Sequence, residues 1–416
     1  MIEKRLQVSL SLTDVAHGGS ALGRHRGKVI FVPYALPGEK VTVEIVEEKR
    51  SFARARLLEV QSPSSERIDP PCPFFGNCGG CHWQHASYSA QLVFKTGIVR
   101  DQLTRLGKFV DPPVKDTMAS PDPWHYRNHV QLAVDRQGQL GFRAATSRQV
   151  VPVDECLLMH PLVEELFFAL DLAAADGLPS LRRLSLRAGI NTGDRMIIFE
   201  TVSDEPPELE VDFSVSCVLL LQDGTPVNLI GYNHITERLA GQVFCISAGS
   251  FFQTNTPQAE TLIRLVTEYL SPKGDETLLD AYCGVGTFAL TLAGQVAHVI
   301  AVESSPSAVE DFRVNAKDVK NVAILAGELE EVLPALQVPV DLAVVDPPRI
   351  GIHREALAAL VRLAPQRIVY VSCDPATLAR DGRALAEAGY DLVVVQPVDM
   401  FPQTYHVETV SLWVKA

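Results

Sequence analysis

The sequence predicts an α/β protein that begins with a small β-barrel and ends with a domain built on a parallel sheet. Two patterns carry this prediction. Short strands separated by glycine turns occupy roughly the first sixty residues, and from about residue 275 apolar runs alternate with helical stretches. The 416 residues suit two to three domains, and a composition of 47% hydrophobic and 21% charged residues is typical of folded proteins.

Four strands are predicted in the N-terminal part, at residues 5–12, 28–33, 41–45 and 53–60. The turns between them carry glycines, including Gly23, and a Pro–Gly pair. Several short strands so close together indicate a barrel of the OB type, a class that often binds oligonucleotides. The basic turn at residues 24–28 is a candidate contact for phosphate, and a solvated loop explains it equally well.

The charge of the chain limits how it can bind a polyanion. A net charge of −13 argues against nonspecific binding of nucleic acid over the whole surface. Residues 1–60 hold ten Lys and Arg against seven Asp and Glu, whereas residues 271–416 hold eleven against nineteen. Any nucleic-acid contact is therefore expected to depend on the N-terminal part. Because no apolar run reaches the length of a membrane span and the first residues lack a signal-peptide core, we expect a cytoplasmic protein without membrane contact.

The remaining chain divides by pattern. Residues 61–73 are rich in proline and predict a linker, a helix is predicted over residues 87–107, and residues 124–245 predict a mixed α/β region. Further on, apolar runs alternate with helical stretches at residues 277–281, 297–302, 341–345, 367–372 and 391–396. This alternation predicts βαβ units, whose parallel strands end at one ligand-binding edge.

A nucleotide site is predicted where the first strand of that sheet ends. The loop at residues 280–286 contains Tyr282, Gly284 and Gly286, and glycines there let the backbone turn sharply and approach a ligand. Glu303 ends the next strand, where a carboxylate can accept hydrogen bonds from both ribose hydroxyls. The spacing fits a nucleoside ligand, and by itself it also fits a dinucleotide-dependent dehydrogenase.

The loop Asp346-Pro347-Pro348-Arg349 argues against a dehydrogenase. An acid followed by two prolines forms a rigid loop at the carboxyl edge of the sheet. It resembles the loops with which amino-methyltransferases and RNA base methyltransferases hold the target base beside the methyl group, and a dehydrogenase has no need of it. A proline-stiffened turn without function is the alternative.

Cys373 follows the next strand and is a candidate nucleophile. A thiolate that adds to uracil C6 makes C5 reactive toward a methyl donor, and a base must then remove the C5 proton. His406 and Glu408 are both candidates for that base. The helix that begins near Pro375 is expected to lower the thiol pKa, and Asp374 to oppose this effect. A buried, unreactive cysteine is the alternative.

Five segments together resemble the RNA uracil-5 methyltransferase family, and in particular its bacterial 23S rRNA branch, over nearly the whole chain. They are residues 249–255, 280–286, 346–349, 372–375 and 406–408. The resemblance implies a Rossmann-like methyltransferase domain that uses S-adenosylmethionine (SAM) and an N-terminal RNA-binding barrel of the TRAM type. It also implies that Cys373 is the nucleophile and Glu408 the base. The expected SAM-binding residues are Gln253, Tyr282, Gly284, Glu303 and Asp346, and Tyr282 stands where many relatives have Phe.

A second site is predicted from cysteine spacing. Cys72, Cys78 and Cys81 form a C-x5-C-x2-C pattern in a glycine-rich loop, and Cys156 is the nearest spare cysteine. Disulfides are not expected in a cytoplasmic chain, and four thiolates suit either zinc or an iron–sulfur cluster. Spacing leaves both open, whereas the family carries a 4Fe–4S cluster at this motif, so the resemblance implies iron. The three remaining cysteines, at positions 217, 245 and 283, are expected only to pack.

The expected organisation is therefore a TRAM-like barrel over residues 1–61, a central α/β domain with the cluster over 62–248, and the methyltransferase domain over 249–416. The helix near 87–107 is expected to pack on the last of these. The segment Tyr126-Arg127-Asn128 matches a family segment and is a candidate RNA contact or a structural element. We expect a monomer acting on 23S rRNA, because the barrel and the cysteine motif together fit ribosomal-RNA relatives better than tRNA-specific ones. The alternatives are a tRNA uridine-5 methyltransferase, an RNA cytosine-5 methyltransferase and an RNA-binding module without catalysis.

Overall fold

A computed structural model describes residues 6–135, 139–170, 181–207 and 210–416. Within these ranges, no helix is long and apolar enough to cross a membrane. Three sheets of five or more strands follow one another along the chain, one in each part. The α/β fold with an N-terminal barrel and a C-terminal sheet domain is thus confirmed.

The N-terminal strands are β1 Gln7–Val15, β2 Ala21–His25, β3 Lys28–Val32, β4 Lys40–Glu48 and β5 Phe52–Ser62. They close into a barrel in the order β1-β2-β3-β5-β4. Alternate residues of β1, among them Leu10 and Leu12, point into the barrel core, as the two-residue period of a strand requires. The sequence did not predict β2, because Gly23 was assigned to a turn. A Cβ atom at Gly23 would lie 2.5 Å from the carbonyl oxygen of Ser11, so glycine permits the close approach of β1.

The central part begins with helix α1 Tyr88–Arg105 and contains helix α2 Pro161–Ala169. Its strands are β6 His129–Val134, β7 Leu140–Arg143, β8 Val150–Pro152, β9 Leu181–Ala188, β10 Arg195–Thr201, β11 Ser216–Leu220, β12 Pro226–Ile230, β13 His234–Leu239 and β14 Gln242–Ser247. Seven of them form a sheet in the order β12-β11-β10-β9-β6-β7-β8, and β13 pairs with β14. Val99 and Leu103 of α1 belong to the hydrophobic core of the C-terminal sheet rather than to that of the central sheet.

The C-terminal strands are β15 Thr277–Ala281, β16 His298–Glu303, β17 Val322–Ala326, β18 Leu342–Val345, β19 Arg367–Ser372, β20 Tyr390–Val398 and β21 Glu408–Lys415. The helices are α3 Thr256–Leu270, α4 Thr287–Leu292, α5 Pro306–Asn315, α6 Leu329–Ala335, α7 Arg354–Leu363 and α8 Pro375–Glu387. The sheet has the order β17-β16-β15-β18-β19-β21-β20. The expectation of a wholly parallel sheet is wrong, because β21 runs antiparallel between β19 and β20.

This reversed strand positions the site. Parallel strands β15, β16, β18 and β19 place their carboxyl ends at one edge of the sheet. Because β21 runs the opposite way, its first residue, Glu408, lies at the same edge, and its second, Thr409, pairs with Ser372. Glu408 therefore lies next to the point where the chain leaves β19 for Cys373.

Candidate active site

The glycine loop after β15 has the conformation that the sequence predicts for close approach to a ligand. Gly284 and Gly286 have φ values of +56° and +98°, and nothing lies within 4 Å of the position a Cβ atom would take at Gly284. Glu303 is held over this loop, since one carboxylate oxygen accepts from the amide of Gly284 at 2.9 Å and the other accepts from the amides of Ser304 and Ser305. Open space at a glycine beside a fixed carboxylate suits the ribose of a nucleoside.

Below this loop, Asp280 is completely buried. One of its carboxylate oxygens accepts from the amide of Ala289 at 2.7 Å, and the other has no partner among the described residues. Burial raises the pKa of Asp280 well above its usual value. Asp280 therefore ties helix α4 to β15 and sets the direction of the glycine loop.

Two carboxyl groups face Cys373 from neighbouring strands. Asp346 follows β18 and accepts a long hydrogen bond of 3.5 Å from the side-chain amide of Gln253. Burial raises the pKa of Asp346 to about 7. Glu408 is 3% exposed, and burial, followed by the proximity of Asp346, raises its pKa well above the usual range, whereas Arg349 acts in the opposite direction. Two carboxylates in one apolar site do not both ionise easily, so the pair retains a proton near neutral pH.

Cys373 is half-buried, and burial raises the pKa of its thiol to about 12, with Glu408 and Asp346 adding to the effect and Arg349 opposing it. The predicted lowering by helix α8 is wrong for a geometric reason. Asp374 caps that helix, and its Oδ1 accepts from the amides of Ala376 at 2.8 Å and Thr377 at 3.2 Å. The first amides of the helix are therefore bonded to a carboxylate and not to the thiol.

The two candidate bases differ in environment. His406 lies in the loop before β21, where burial, followed by the positive charge of Arg349, lowers its pKa to about 3. Its ring contacts Tyr405, with centroids 4.2 Å apart. A neutral imidazole with so low a pKa is a weak base at neutral pH. The environment therefore favours Glu408 as the acceptor of a proton.

The cavity at Cys373 has a volume of about 160 Å³ and contains residues from both ends of the chain. Residues 349, 373–375 and 405–407 line it on the side of the methyltransferase part, and His17 and Gly18 of the barrel line it on the other. Of the expected SAM contacts, Tyr282 lines a separate cavity of about 670 Å³. The sequence gave no role to His17, and no local pattern relates it to Cys373, some 350 residues away.

The segment that precedes Glu408 is held by helix α1 and by the cysteine-rich loop. Lys95 of α1 pairs with Asp399, both side chains being fully buried, and its Nζ atom also donates to the carbonyl oxygen of Phe401 at 3.0 Å. The carbonyl oxygen of Gln403 accepts from the amides of His82 and Trp83 at 2.9 and 3.0 Å. The position of residues 399–407 therefore depends on contacts made by the central part.

Comparison with known proteins identifies the family. A family model described as tRNA (uracil-5-)-methyltransferase matches residues 232–416, and the TRAM domain model matches residues 7–58. An uncharacterized RNA methyltransferase of Halalkalibacterium halodurans is 37% identical and aligns with 99% of this chain and 97% of its own length. Another, from Thermosynechococcus vestitus, is 36% identical and aligns with 97% of each chain. The crystal structure of Pyrococcus abyssi tRNA (uracil-54, C5)-methyltransferase in complex with S-adenosyl-L-homocysteine has a TM-score of 0.78 at 30% identity, covering 98% of this chain and 100% of that one.

The chain belongs to the RNA uracil-5 methyltransferase family. Its N-terminal barrel is a TRAM domain, as expected.

In this methyltransferase the cysteine-rich loop lies outside both matched segments. Cys72, Cys78, Cys81 and Cys156 line one largely apolar cavity of about 60 Å³. The amide of Gly80 donates to the sulfur of Cys78 at 3.4 Å. Among the described residues, however, no three His, Cys, Asp or Glu side chains stand in the arrangement of a single-ion site. The structure thus brings the four predicted cysteines together, and the nature of the bound group stays a prediction.

The segment Tyr126-Arg127-Asn128 is structural in this methyltransferase. Tyr126 is 4% exposed and donates to the carbonyl oxygen of Pro402 at 3.1 Å. Asn128, also buried, donates to the carbonyl oxygen of Gln253 at 2.9 Å. Arg127 lines the cysteine cavity. These contacts leave Tyr126 and Asn128 no access to RNA, and they connect the central part with the loops that carry Gln253 and Glu408.

Proposed function

We propose that this methyltransferase transfers the methyl group of SAM to C5 of a uridine in RNA through a covalent adduct between Cys373 and uracil C6. The observation that carries the proposal is the placement of Cys373 beside the buried carboxyl groups of Asp346 and Glu408 at one edge of the sheet. A nucleophile, a base and a nucleoside site are the three elements that C5 methylation requires.

The residues around the glycine loop fit SAM. Gly284 leaves open space, Glu303 supplies a carboxylate for the ribose, and Tyr282 supplies an aromatic face. Gln253 and Asp346, joined by their hydrogen bond, stand between this loop and Cys373 and would hold the donor end of SAM. SAM supplies an electrophilic methyl group on a positively charged sulfur, and the buried carboxyl groups nearby favour that positive charge.

The chain's own residues divide the chemistry as follows. The thiol of Cys373 is protonated at rest because its pKa is about 12, so it loses its proton only as the uridine enters. The sulfur then bonds to C6, and C5 takes the methyl group as the methyl–sulfur bond of SAM breaks. Glu408 removes the proton from C5, after which the C6–sulfur bond breaks and the product leaves. Burial makes the ionised Glu408 a stronger base, and Arg349 favours that ionised form.

A methyl-transfer assay with uridine- or cytidine-labelled RNA tests this function. RNA tritiated at C5 of uridine is expected to release tritium to water in a SAM-dependent reaction. Release from C5 of cytidine alone would indicate a cytosine-5 methyltransferase instead. Tight SAM binding without release from either RNA would support an RNA-binding module without catalysis.

The proposed RNA target is 23S rRNA, and tRNA is the second candidate. The first rests on the resemblance of the motifs and on the cysteine loop beside a TRAM domain. The second is favoured by the Pyrococcus abyssi tRNA enzyme, which aligns with 98% of this chain, so a match of the barrel and central part does not separate the two targets. Methylation of purified 23S rRNA and purified tRNA from a deletion strain, followed by mass-spectrometric mapping, decides between them. Product in tRNA alone would overturn the ribosomal assignment.

The four cysteines that share one cavity are proposed to hold a 4Fe–4S cluster. The donor set is suitable, since four thiolates are the usual ligands of such a cluster, and the amide of Gly80 bonds to one of them. Cys72, Cys78, Cys81 and Cys156 would each hold one iron. Iron and sulfide analysis of anaerobically purified protein is expected to find both. Stoichiometric zinc without iron would refute the cluster.

A further inference from the structure

The loop that joins β1 and β2 of the barrel, residues 16–20, reaches the catalytic cavity. It is a tight turn, in which the amide of Ala16 donates to the carbonyl oxygen of Ser20 and the amide of Gly19 donates to that of Ala16, both at 2.9 Å. The indole nitrogen of the buried Trp83 donates to the carbonyl oxygen of Gly19 at 2.9 Å. The loop therefore has a defined shape and is anchored to the central part.

Gly19 packs directly on the segment that leads to Glu408. A Cβ atom at Gly19 would lie 2.8 Å from Cβ of Tyr405, closer than real side chains approach, and the φ value of Gly19 is +83°. Only glycine fits this contact without displacing Tyr405. The barrel loop and the catalytic segment are thus in van der Waals contact.

The neighbouring residues of the loop face the cavity. Gly18 lines it, and nothing lies within 4 Å of the position a Cβ atom would take there, so the loop leaves space on that side. His17 lines the same cavity, and its Nε2 atom lies 3.7 Å from Oδ2 of Asp374. Its side chain is 31% exposed, so a ligand can reach it.

We propose that this loop is one wall of the uridine pocket and that His17 donates a hydrogen bond to the ribose–phosphate backbone of the nucleotide that Cys373 attacks. The inference rests on the proposed function and adds a substrate contact from the barrel. His17 and Arg349 place nitrogen donors at the same cavity, which suits the anionic backbone of RNA. A base that enters the cavity from a splayed strand carries its ribose and phosphate past both side chains.

The test compares His17→Ala, His17→Gln and His298→Ala in the full-length enzyme. His298 begins β16, at the opposite edge of the sheet from Cys373, and serves as the matched control. The KM for RNA, kcat, SAM affinity and thermal unfolding are measured for each. His17→Ala is expected to raise the KM for RNA roughly tenfold, as for one lost hydrogen bond to a charged group, with kcat at saturating RNA and SAM affinity unchanged. His17→Gln, which keeps a donor, is expected to recover most of the loss, and His298→Ala to behave as wild type.

The outcomes separate this inference from the function on which it rests. A KM for RNA within twofold of wild type in His17→Ala would overturn the contact while leaving uridine methylation intact. Lowered thermal stability in both His17 variants, with equal losses in SAM affinity, would assign His17 a structural role and also overturn the proposal. If the wild-type enzyme methylates no uridine, the proposed function fails first.

Discussion

The buried ion pair between Lys95 and Asp399 supports a quantitative prediction about how the central part holds the catalytic segment. Both side chains are 0% exposed, and they join helix α1 to the residues that precede Glu408. Removing one partner of a buried pair leaves the other charge uncompensated in an apolar environment, which costs about 3–5 kcal/mol. Lys95→Met keeps the length of the side chain, so its effect on the free energy of unfolding is expected to lie in this range.

The effect on catalysis follows from geometry. Without Lys95, the carbonyl oxygen of Phe401 loses a donor and the segment 399–407 is free to shift relative to Cys373. A misplacement of about 1 Å costs on the order of 10²-fold in rate, so a fall in kcat of up to that size is expected while SAM affinity stays close to wild type.

Urea unfolding followed by fluorescence of the buried Trp83 and Trp413 measures the first effect, and steady-state methylation measures the second. In the double variant Lys95→Met with Asp399→Leu both charges are absent, and a smaller loss of stability than in Lys95→Met is expected. Lys317→Met, on an exposed surface, is the control and is expected to stay within about 0.5 kcal/mol of wild type. An unchanged unfolding midpoint in Lys95→Met, or a double variant as unstable as the sum of its parts, would refute this reasoning.

Three further predictions concern the carboxyl groups and the nucleophile. Glu408→Gln is expected to accumulate a protein–RNA adduct that survives denaturing electrophoresis, because elimination needs the base; normal turnover without an adduct would exclude Glu408 from that role. Cys373→Ala is expected to lose methylation by at least about 10³-fold while SAM titration remains normal, and activity near wild type would disprove the covalent route. Asp346, whose pKa is raised to about 7, contributes stability that is present below its unfolded pKa and lost as pH rises through 7, so Asp346→Asn is expected to gain stability relative to wild type between pH 4 and pH 8, on the order of 1 kcal/mol per pKa unit. Melting curves across that range check the sign, and a gain that shrinks with rising pH would contradict it.

The part of the site that is local in sequence could be predicted. The glycine loop, Glu303, Asp346 and Cys373 each follow a strand, and an apolar run that ends in a polar or glycine-rich loop is visible in the sequence. Parallel pairing then brings these loops to one edge without any knowledge of long-range contacts.

The rest depends on contacts between distant segments. Glu408 reaches Cys373 only because β21 is inserted antiparallel between β19 and β20, and a short strand pattern does not reveal its neighbours. The direction of the thiol pKa was missed for a similar reason, since Asp374, rather than Cys373, accepts the first amides of α8. The ion pair of Lys95 and Asp399 joins residues more than three hundred positions apart, and a lysine in a helix is usually solvated.

The contact of the barrel loop with the catalytic cavity bears on how such enzymes can diversify. If the TRAM domain were only a tether for RNA, it could be exchanged between relatives without altering the chemistry. Here His17 and Gly18 belong to the wall of the cavity, and Gly19 has no room for a larger residue. An exchanged barrel would therefore bring its own wall to the pocket, so that RNA preference and turnover are inherited together rather than as separate modules.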